Sequence, residues 1–208
     1  ILPLVSDDTK LSLETDISGS LGGKLRAKGG LKYSRVVMGQ KSALGSVDSP
    51  DEGEIDYSLE LDKDSIEIQN FKIRSGQSNF SVNGKLVGYK TKDPGLSFGV
   101  QVDEFSIKET RRKFPLTLIP KKVHEQFYEL FSRGTLGIKS LQFDGSFEQL
   151  KNLDSEENKD RITAEIYFKG MDWRSPLPLF KAVTGSFDYK NGDGFIEIMK
   201  ARYEGFPL

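Results

Sequence analysis

Apolar and polar residues alternate along short segments of this chain, and this pattern constrains the fold more than any other feature. In the segment 54–62, Ile55, Tyr57, Leu59 and Leu61 occupy every second position, with polar residues between them. Successive side chains of a β-strand point to opposite faces, so this is the pattern of a strand with one apolar face. The alternation recurs in 11–17, 25–33, 66–73, 80–87, 96–102, 136–147, 162–168, 183–189 and 195–203.

About ten one-sided strands create an apolar surface that needs cover. Adjacent strands lie about 4.8 Å apart, so ten of them in one open sheet span about 50 Å. The sequence predicts only one helix, and a three-turn helix is about 18 Å long. The sheet must close into a sandwich or barrel, curl into a trough, or leave an apolar surface for another molecule. We expect a mainly β fold: a long twisted antiparallel sheet curled into an open groove or half-barrel, with one amphipathic helix.

The predicted helix runs from Pro120 to about Ser132. Proline suits the first helical position, and Gly134 suits the left-handed position beyond the end of the helix. Spacings of i, i+4, i+7 and i+8 place four apolar residues in one stripe: Val123, Phe127, Leu130 and Phe131. The stripe indicates a helix that either caps one end of a β core or forms a lid over an apolar trough.

Local signals predict how the strands bend and connect. The apolar phase changes between Ile68 and Phe71, which predicts a β-bulge near Gln69 and Asn70. The run Asn191-Gly192-Asp193-Gly194 between two alternating segments is typical of a hairpin turn.

Two stretches have the composition of loops, and we expect both to be mobile. Residues 38–53 are rich in glycine, serine and acids, and residues 151–160 contain almost no apolar side chain.

Composition excludes several classes of function. The 208 residues, 36% apolar and 29% charged, suffice for one large β domain or two small ones. A net charge of −1 gives no basic field, so we expect no nucleic-acid partner. The absence of cysteine excludes disulfides and thiol chemistry and leaves the compartment open. No run approaches the roughly 18 apolar residues of a membrane-spanning helix.

Catalytic signatures are missing from the sequence. His124 is the only histidine, it falls on the predicted helix, and no G-x-S-x-G motif accompanies it. No phosphate-binding, zinc or calcium motif occurs, and the acidic clusters fall in predicted loops. We therefore expect no enzyme, no cofactor and no metal site.

Spaced glycine, proline and aromatic positions in the second half resemble the AsmA-like family of the YhdP type, which is related to TamB. The matching stretches are Phe114-Pro115, 120–123, 127–131, Gly134, 141–145, 168–178, 184–187 and 196–205. Upstream, the segments 64–73 and 80–86 are similar to the strand–turn–strand layer that is repeated in AsmA and TamB proteins. The resemblance covers roughly residue 58 to the end.

This resemblance implies a segment of a large envelope protein of Gram-negative bacteria. Such a parent is anchored in the inner membrane, crosses the periplasm and contacts the outer membrane, and phospholipids move along its apolar β-groove. We expect residues 1–208 to be one β-groove segment of a longer protein, with sub-segments of about 1–113 and 114–208 and the helix opening the second. The partner would be a phospholipid or another acyl-chain lipid.

The alternation selects candidate residues for the groove. We expect its lining to include Ile55, Tyr57, Leu59, Phe80, Val82, Leu96, Phe98, Val100, Phe143, Ile166 and Phe168. The helix stripe defined above would be the lid. The alternative function is a structural or interaction module, in which a β-sandwich or barrel is filled by its own side chains and holds no ligand.

Overall fold

Ten strands and one short helix make up the described part of the computed structural model, which covers residues 10–20, 22–34, 52–75, 78–107, 133–153, 155–173 and 180–203. The strands are β1 (Lys10–Gly19), β2 (Leu25–Ser34), β3 (Glu52–Leu61), β4 (Ser65–Ser75), β5 (Ser78–Val87), β6 (Gly95–Ser106), β7 (Thr135–Ser146), β8 (Ile162–Trp173), β9 (Phe180–Lys190) and β10 (Asp193–Tyr203). The helix α1 (Phe147–Lys151) follows β7.

All ten strands belong to one antiparallel sheet, in which each strand pairs with the strands before and after it in the chain. The sheet does not close into a barrel. The predicted mainly β, antiparallel fold and all ten predicted strands are therefore confirmed. A sandwich or closed barrel, which the alternative function required, is not formed by the described strands. No helix within the described ranges is long and apolar enough to cross a membrane.

The strand register gathers the apolar residues on one face. Residues directly opposite each other in an antiparallel pair point to the same side of the sheet. Leu31 pairs with Ile55, Ile55 with Ile73, Ile73 with Phe80, and Phe80 with Val102. We call this side the apolar face. The intervening residues form the polar face on the other side.

β-Bulges keep this segregation intact where the sequence changes phase. The register shifts between Ile68 and Phe71, at the predicted position near Gln69 and Asn70, so that both Ile68 and Phe71 remain on the apolar face. That bulge is confirmed. Further shifts in the pairs from β6 to β10 were not predicted. Each bulge is expected to increase the local twist, and the register shifts are more numerous in the second half of the sheet than in the first.

The β9–β10 hairpin forms at the predicted turn. Asn191 has φ 54° and Gly192 has φ 83°. Positive φ at both central residues is the geometry of a type I′ turn, which matches the right-handed twist of the flanking strands. The Asn-Gly pair therefore sets the register of β10.

Helix α1 was not predicted. The alternation suggested a strand as far as Phe147, but β7 ends at Ser146, where a capping box forms. The Gln149 backbone N–H donates to Ser146 Oγ at 3.4 Å, and the Ser146 backbone N–H donates to Gln149 Oε1 at 2.9 Å. The Ser-x-x-Gln signal for this helix was present in the sequence.

The predicted loop 151–160 begins with the last residue of α1 and continues through a series of turns. Its backbone is held partly by Asn158, whose amide donates to the Asn152 carbonyl at 3.1 Å and to Ser155 Oγ at 2.9 Å. Of the other predicted loop, only Glu52 and Gly53 are described, and both belong to β3. The predicted helix 120–132 and its lid residues lie outside the described residues.

The fully buried apolar core is small. Among the described residues, only five large apolar side chains are buried: Val102, Ile107, Phe143, Met171 and Val183. Ile107, Met171 and Val183 form a cluster at one end of the sheet, with Phe168 and Trp173 packed against it. A filled sandwich of this size would bury many more side chains.

Candidate functional site

The eleven predicted groove residues all lie on the apolar face. Direct pairing links Phe80 to Val102, Val82 to Val100 and Phe98 to Phe143. The other members join through the same register: Ile55, Tyr57 and Leu59 on β3, Leu96 on β6, and Ile166 and Phe168 on β8. The structure thus brings together residues from β3 to β8 that are more than 100 positions apart in the sequence.

The middle of the apolar face is its best-packed part. The rings of Phe98 and Phe143 stack with centroids 5.5 Å apart and an interplanar angle of 28°. Phe143 is only 2% exposed, whereas Phe98, Val100 and Ile166 remain partly accessible. Offset stacking of aromatic rings adds to the stabilisation that comes from burial. The rest of the apolar face therefore extends on both sides from a well-packed centre.

The apolar face includes residues that the prediction omitted. Phe71 and Ile73 of β4 and Ile138 and Leu141 of β7 pair directly with predicted groove residues, and Ile66 of β4 pairs with Leu61 and Leu86. They showed the same alternation, so their signal was available. The two edge strands also belong to this face, through Leu11, Leu13 and Ile17 on β1 and Ile196 and Ile198 on β10.

Exposure rises steeply from the centre of the sheet to its edges. Every residue of β1 and β10 is exposed. Ile17 on β1 is 74% exposed and Ile198 on β10 is 48% exposed. Within the described part of the chain, this apolar surface continues to both edges without being covered, which is unusual for a monomeric soluble protein. The apolar face is therefore the candidate functional surface of the described strands.

Glycines allow aromatic side chains to lie flat on this face. Tyr57 pairs with Gly29, which in turn pairs with Thr15. Because Gly29 has no side chain, the Tyr57 ring extends across β2 and its hydroxyl reaches Thr15 Oγ1 at 2.5 Å. A Cβ added to Gly29 would come within 2.8 Å of the Tyr57 hydroxyl. Gly185 similarly lies beneath the ring of its partner Phe168.

The polar face is held by ion pairs between neighbouring strands. Glu60 accepts from Lys24 Nζ at 2.7 Å and from Arg26 Nε at 2.8 Å. These hydrogen bonds, with the two positive charges, lower the pKa of Glu60 to about 2. Arg74 Nη2 contacts Glu54 at 3.0 Å and Asp56 at 2.5 Å. Two charged clusters therefore link β2, β3 and β4 on this side.

The apolar face offers no obvious catalytic chemistry in the part of the chain that the structure describes. Its side chains are aliphatic and aromatic, with tyrosine and threonine hydroxyls as the polar groups near β1. No cluster of three or more histidine or acidic side chains that could hold a metal occurs among the described residues. Such a surface can bind apolar chains by removing them from water.

Comparison with known proteins adds no relative. No family model matches the chain, and neither the curated proteins nor the solved structures contain a match.

Proposed function

We propose that this chain binds phospholipid acyl chains along the apolar face of its sheet. It would act as one segment of a longer periplasmic protein, anchored in the inner membrane, along which phospholipids move between the inner and outer membranes. The observation that carries the proposal is the continuous apolar face, which extends over ten strands and stays exposed at both edges.

Acyl chains fit this surface chemically. Burying a methylene group stabilises by about 0.8 kcal/mol, so a chain of ordinary length can be held without any specific polar contact. The apolar face has the width of the whole sheet, about 50 Å at the usual strand spacing. Affinity should depend on chain length more than on the head group, because head groups would remain in water.

The meander topology suits an extended conduit. Each described strand is hydrogen-bonded only to its sequence neighbours, so such a sheet can be lengthened by adding strands without rebuilding a central core. The sequence resemblance to AsmA-like proteins supports the periplasmic setting and the passage of phospholipid.

Trp173 provides a direct test of acyl-chain binding. It is the only tryptophan in the chain and packs against the Met171 and Val183 cluster at one end of the apolar face. Bromine atoms on an acyl chain quench tryptophan fluorescence at short range. We expect phosphatidylcholine carrying brominated acyl chains to quench Trp173 more strongly than the unbrominated lipid at equal concentration.

A charge on the apolar face should weaken this binding. An unpaired carboxylate in an apolar site costs several kcal/mol. We therefore expect Phe98→Glu to bind the lipid several-fold more weakly. Gln101→Glu, on the polar face of the same strand β6, is the matched control and should bind as the wild type does. Circular dichroism would check that both variants fold.

Two results would contradict the proposal. One is equal quenching by brominated and unbrominated lipid in the wild-type protein. The other is undiminished quenching in a folded Phe98→Glu variant. If Phe98→Glu does not fold, Leu13→Glu on the exposed edge strand β1 replaces it, because that side chain packs against little.

A further inference from the structure

A half-open cavity of about 550 Å³ lies on the polar face of the sheet, opposite the apolar face. Its polar lining comes from β4 to β8 and is mostly uncharged. The uncharged polar residues of this lining include Asn70, Ser81, Asn83, Gln101, Gln142 and Thr163. The volume is within the range of small-ligand sites, roughly 300–1,000 Å³.

Four of the lining positions form one straight row across four strands. Asn83 pairs with Gly99, Gly99 with Gln142, and Gln142 with Thr163. Gly99 has no side chain and forms the floor of the row. A Cβ added to Gly99 would meet Asn83 Oδ1 at 2.7 Å, so the Asn83 side-chain amide lies over the Gly99 backbone. Neighbouring strands are about 4.8 Å apart, a spacing similar to the length of one pyranose unit.

The amides of Asn83 and Gln142 and the hydroxyl of Thr163 differ from the ion-paired groups of β2–β4, because no side chain in the described part of the chain engages them. Glu60 and Arg74 are engaged by side chains on neighbouring strands. Within the part of the chain that the structure describes, the side chains of Asn83, Gln142 and Thr163 make no hydrogen bond to another residue. Their donors and acceptors are therefore available to a ligand.

The charges around the cavity balance. Lys72 and Arg161 are positive, Asp144 and Asp160 are negative, and Arg161 Nε lies 3.9 Å from Asp160 Oδ1. The site therefore favours neither an anion nor a cation. Amide and hydroxyl groups both donate and accept hydrogen bonds, and the ligand that matches them without net charge is polyhydroxylated.

We propose that the polar face binds a neutral oligosaccharide across β5–β8, with sugar hydroxyls bonded to Asn83, Gln142 and Thr163. This inference goes beyond lipid binding and does not rest on it, because it is argued from polar side chains on the opposite face. No aromatic ring is among the residues argued to bind the sugar, so the expected affinity is modest.

An NMR titration of the whole chain with maltohexaose and with chitohexaose tests the site. We expect at least one of the two sugars to shift the side-chain amide signals of Asn83 and Gln142. Gly99→Val should weaken that binding by roughly tenfold or more, because its side chain fills the floor and displaces the Asn83 amide on which hydrogen bonding depends. Only the flexible end of Asn83 has to move, and valine suits a strand, so the fold should persist.

Gly30→Val is the matched control. Gly30 lies on the polar face of β2, outside the cavity, and the nearest atom to an added Cβ is Asp56 Oδ1 at 3.5 Å. This variant should bind the sugar as the wild type does. If Gly99→Val does not fold, Asn83→Ala combined with Gln142→Ala replaces it, since both side chains are exposed. Binding to this variant is read from the backbone amide signals of Gly99 and Thr163.

Three results would overturn the proposal. The first is that neither sugar shifts the two amide signals at millimolar concentration. The second is that the folded cavity variant binds as tightly as the Gly30→Val control. The third is that inorganic phosphate shifts the same signals at a lower concentration than either sugar, which would identify an anion site.

Discussion

The two faces of this sheet are formed by the same strands, but their side chains find contacts in different ways. On the polar face of β2–β4, charged groups find partners on the next strand, as Arg74 does with Glu54 and Asp56. On the apolar face, cross-strand contacts bury Phe143 at the centre but leave every residue of β1 and β10 exposed.

The difference follows from the range of the forces involved. An ion pair is complete with one neighbour about 3 Å away, so a single layer of strands can supply it. Apolar burial requires atoms on the far side of the side chain as well, at roughly 25 cal/mol per Å² removed from water. A single sheet can therefore pair the charged groups of its polar face by itself, whereas its apolar face needs a second layer or a bound molecule.

The largest expected effect separates the centre of the apolar face from its edge. Phe143→Ala removes a ring that is 2% exposed and stacked on Phe98, and we expect a loss of about 3–5 kcal/mol in the free energy of unfolding. Leu13→Ala, a truncation on the exposed edge strand β1 of the same face, should cost no more than about 0.5 kcal/mol. Urea denaturation of both variants measures the difference. Similar losses would mean that the centre is no better packed than the edge.

Two adjacent glycines of β2 provide a smaller test of the two faces. Gly29 lies beneath Tyr57 on the apolar face, where a Cβ would also collide with the Glu14 carbonyl, so Gly29→Ala should destabilise by about 1–3 kcal/mol. At Gly30, on the polar face, the nearest atom would be 3.5 Å away. Because alanine restricts the unfolded chain, Gly30→Ala should be neutral or stabilise by up to about 1 kcal/mol. Thermal denaturation of the two variants measures the difference in stability. Equal changes in melting temperature would contradict the position of the Tyr57 ring over Gly29.

Much of the fold was predictable because each strand carries its own signal. Period-two alternation located all ten strands, the phase change at Ile68 and Phe71 located a bulge, and Asn191-Gly192 located a turn. These features depend on a few consecutive residues. The sequential order of the strands was only the most common arrangement for antiparallel neighbours, and the structure was needed to establish it.

Features that depend on distant residues could not be predicted in the same way. The extra bulges of β6–β10 do not stand out in single strands, because they become visible only when two strands are paired. The same holds for the row formed by Asn83, Gly99 and Gln142, which are unremarkable individually. Sequence reasoning found the apolar face of the candidate site and missed the cavity on the other face for this reason.

The smallest expected effect concerns the pH dependence of the polar face. Hydrogen bonds from Lys24 and Arg26 lower the pKa of Glu60 from 4.5 to about 2. A carboxyl group whose pKa is lower in the folded than in the unfolded state stabilises the fold above its unfolded pKa, and this contribution disappears as the pH falls from 4.5 towards 2. We expect Glu60→Gln to have a lower melting temperature than the wild type at pH 7, and this difference in melting temperature should narrow in acid.

Glu157→Gln is the control, because Glu157 is exposed and has no ion pair among the described residues. Its melting temperature should match that of the wild type at every pH. A gap that stays constant from pH 7 to pH 2 would show that Glu60 acts through packing and not through its charge, and the ion-paired cluster would then not explain how β2 and β3 are held on this face.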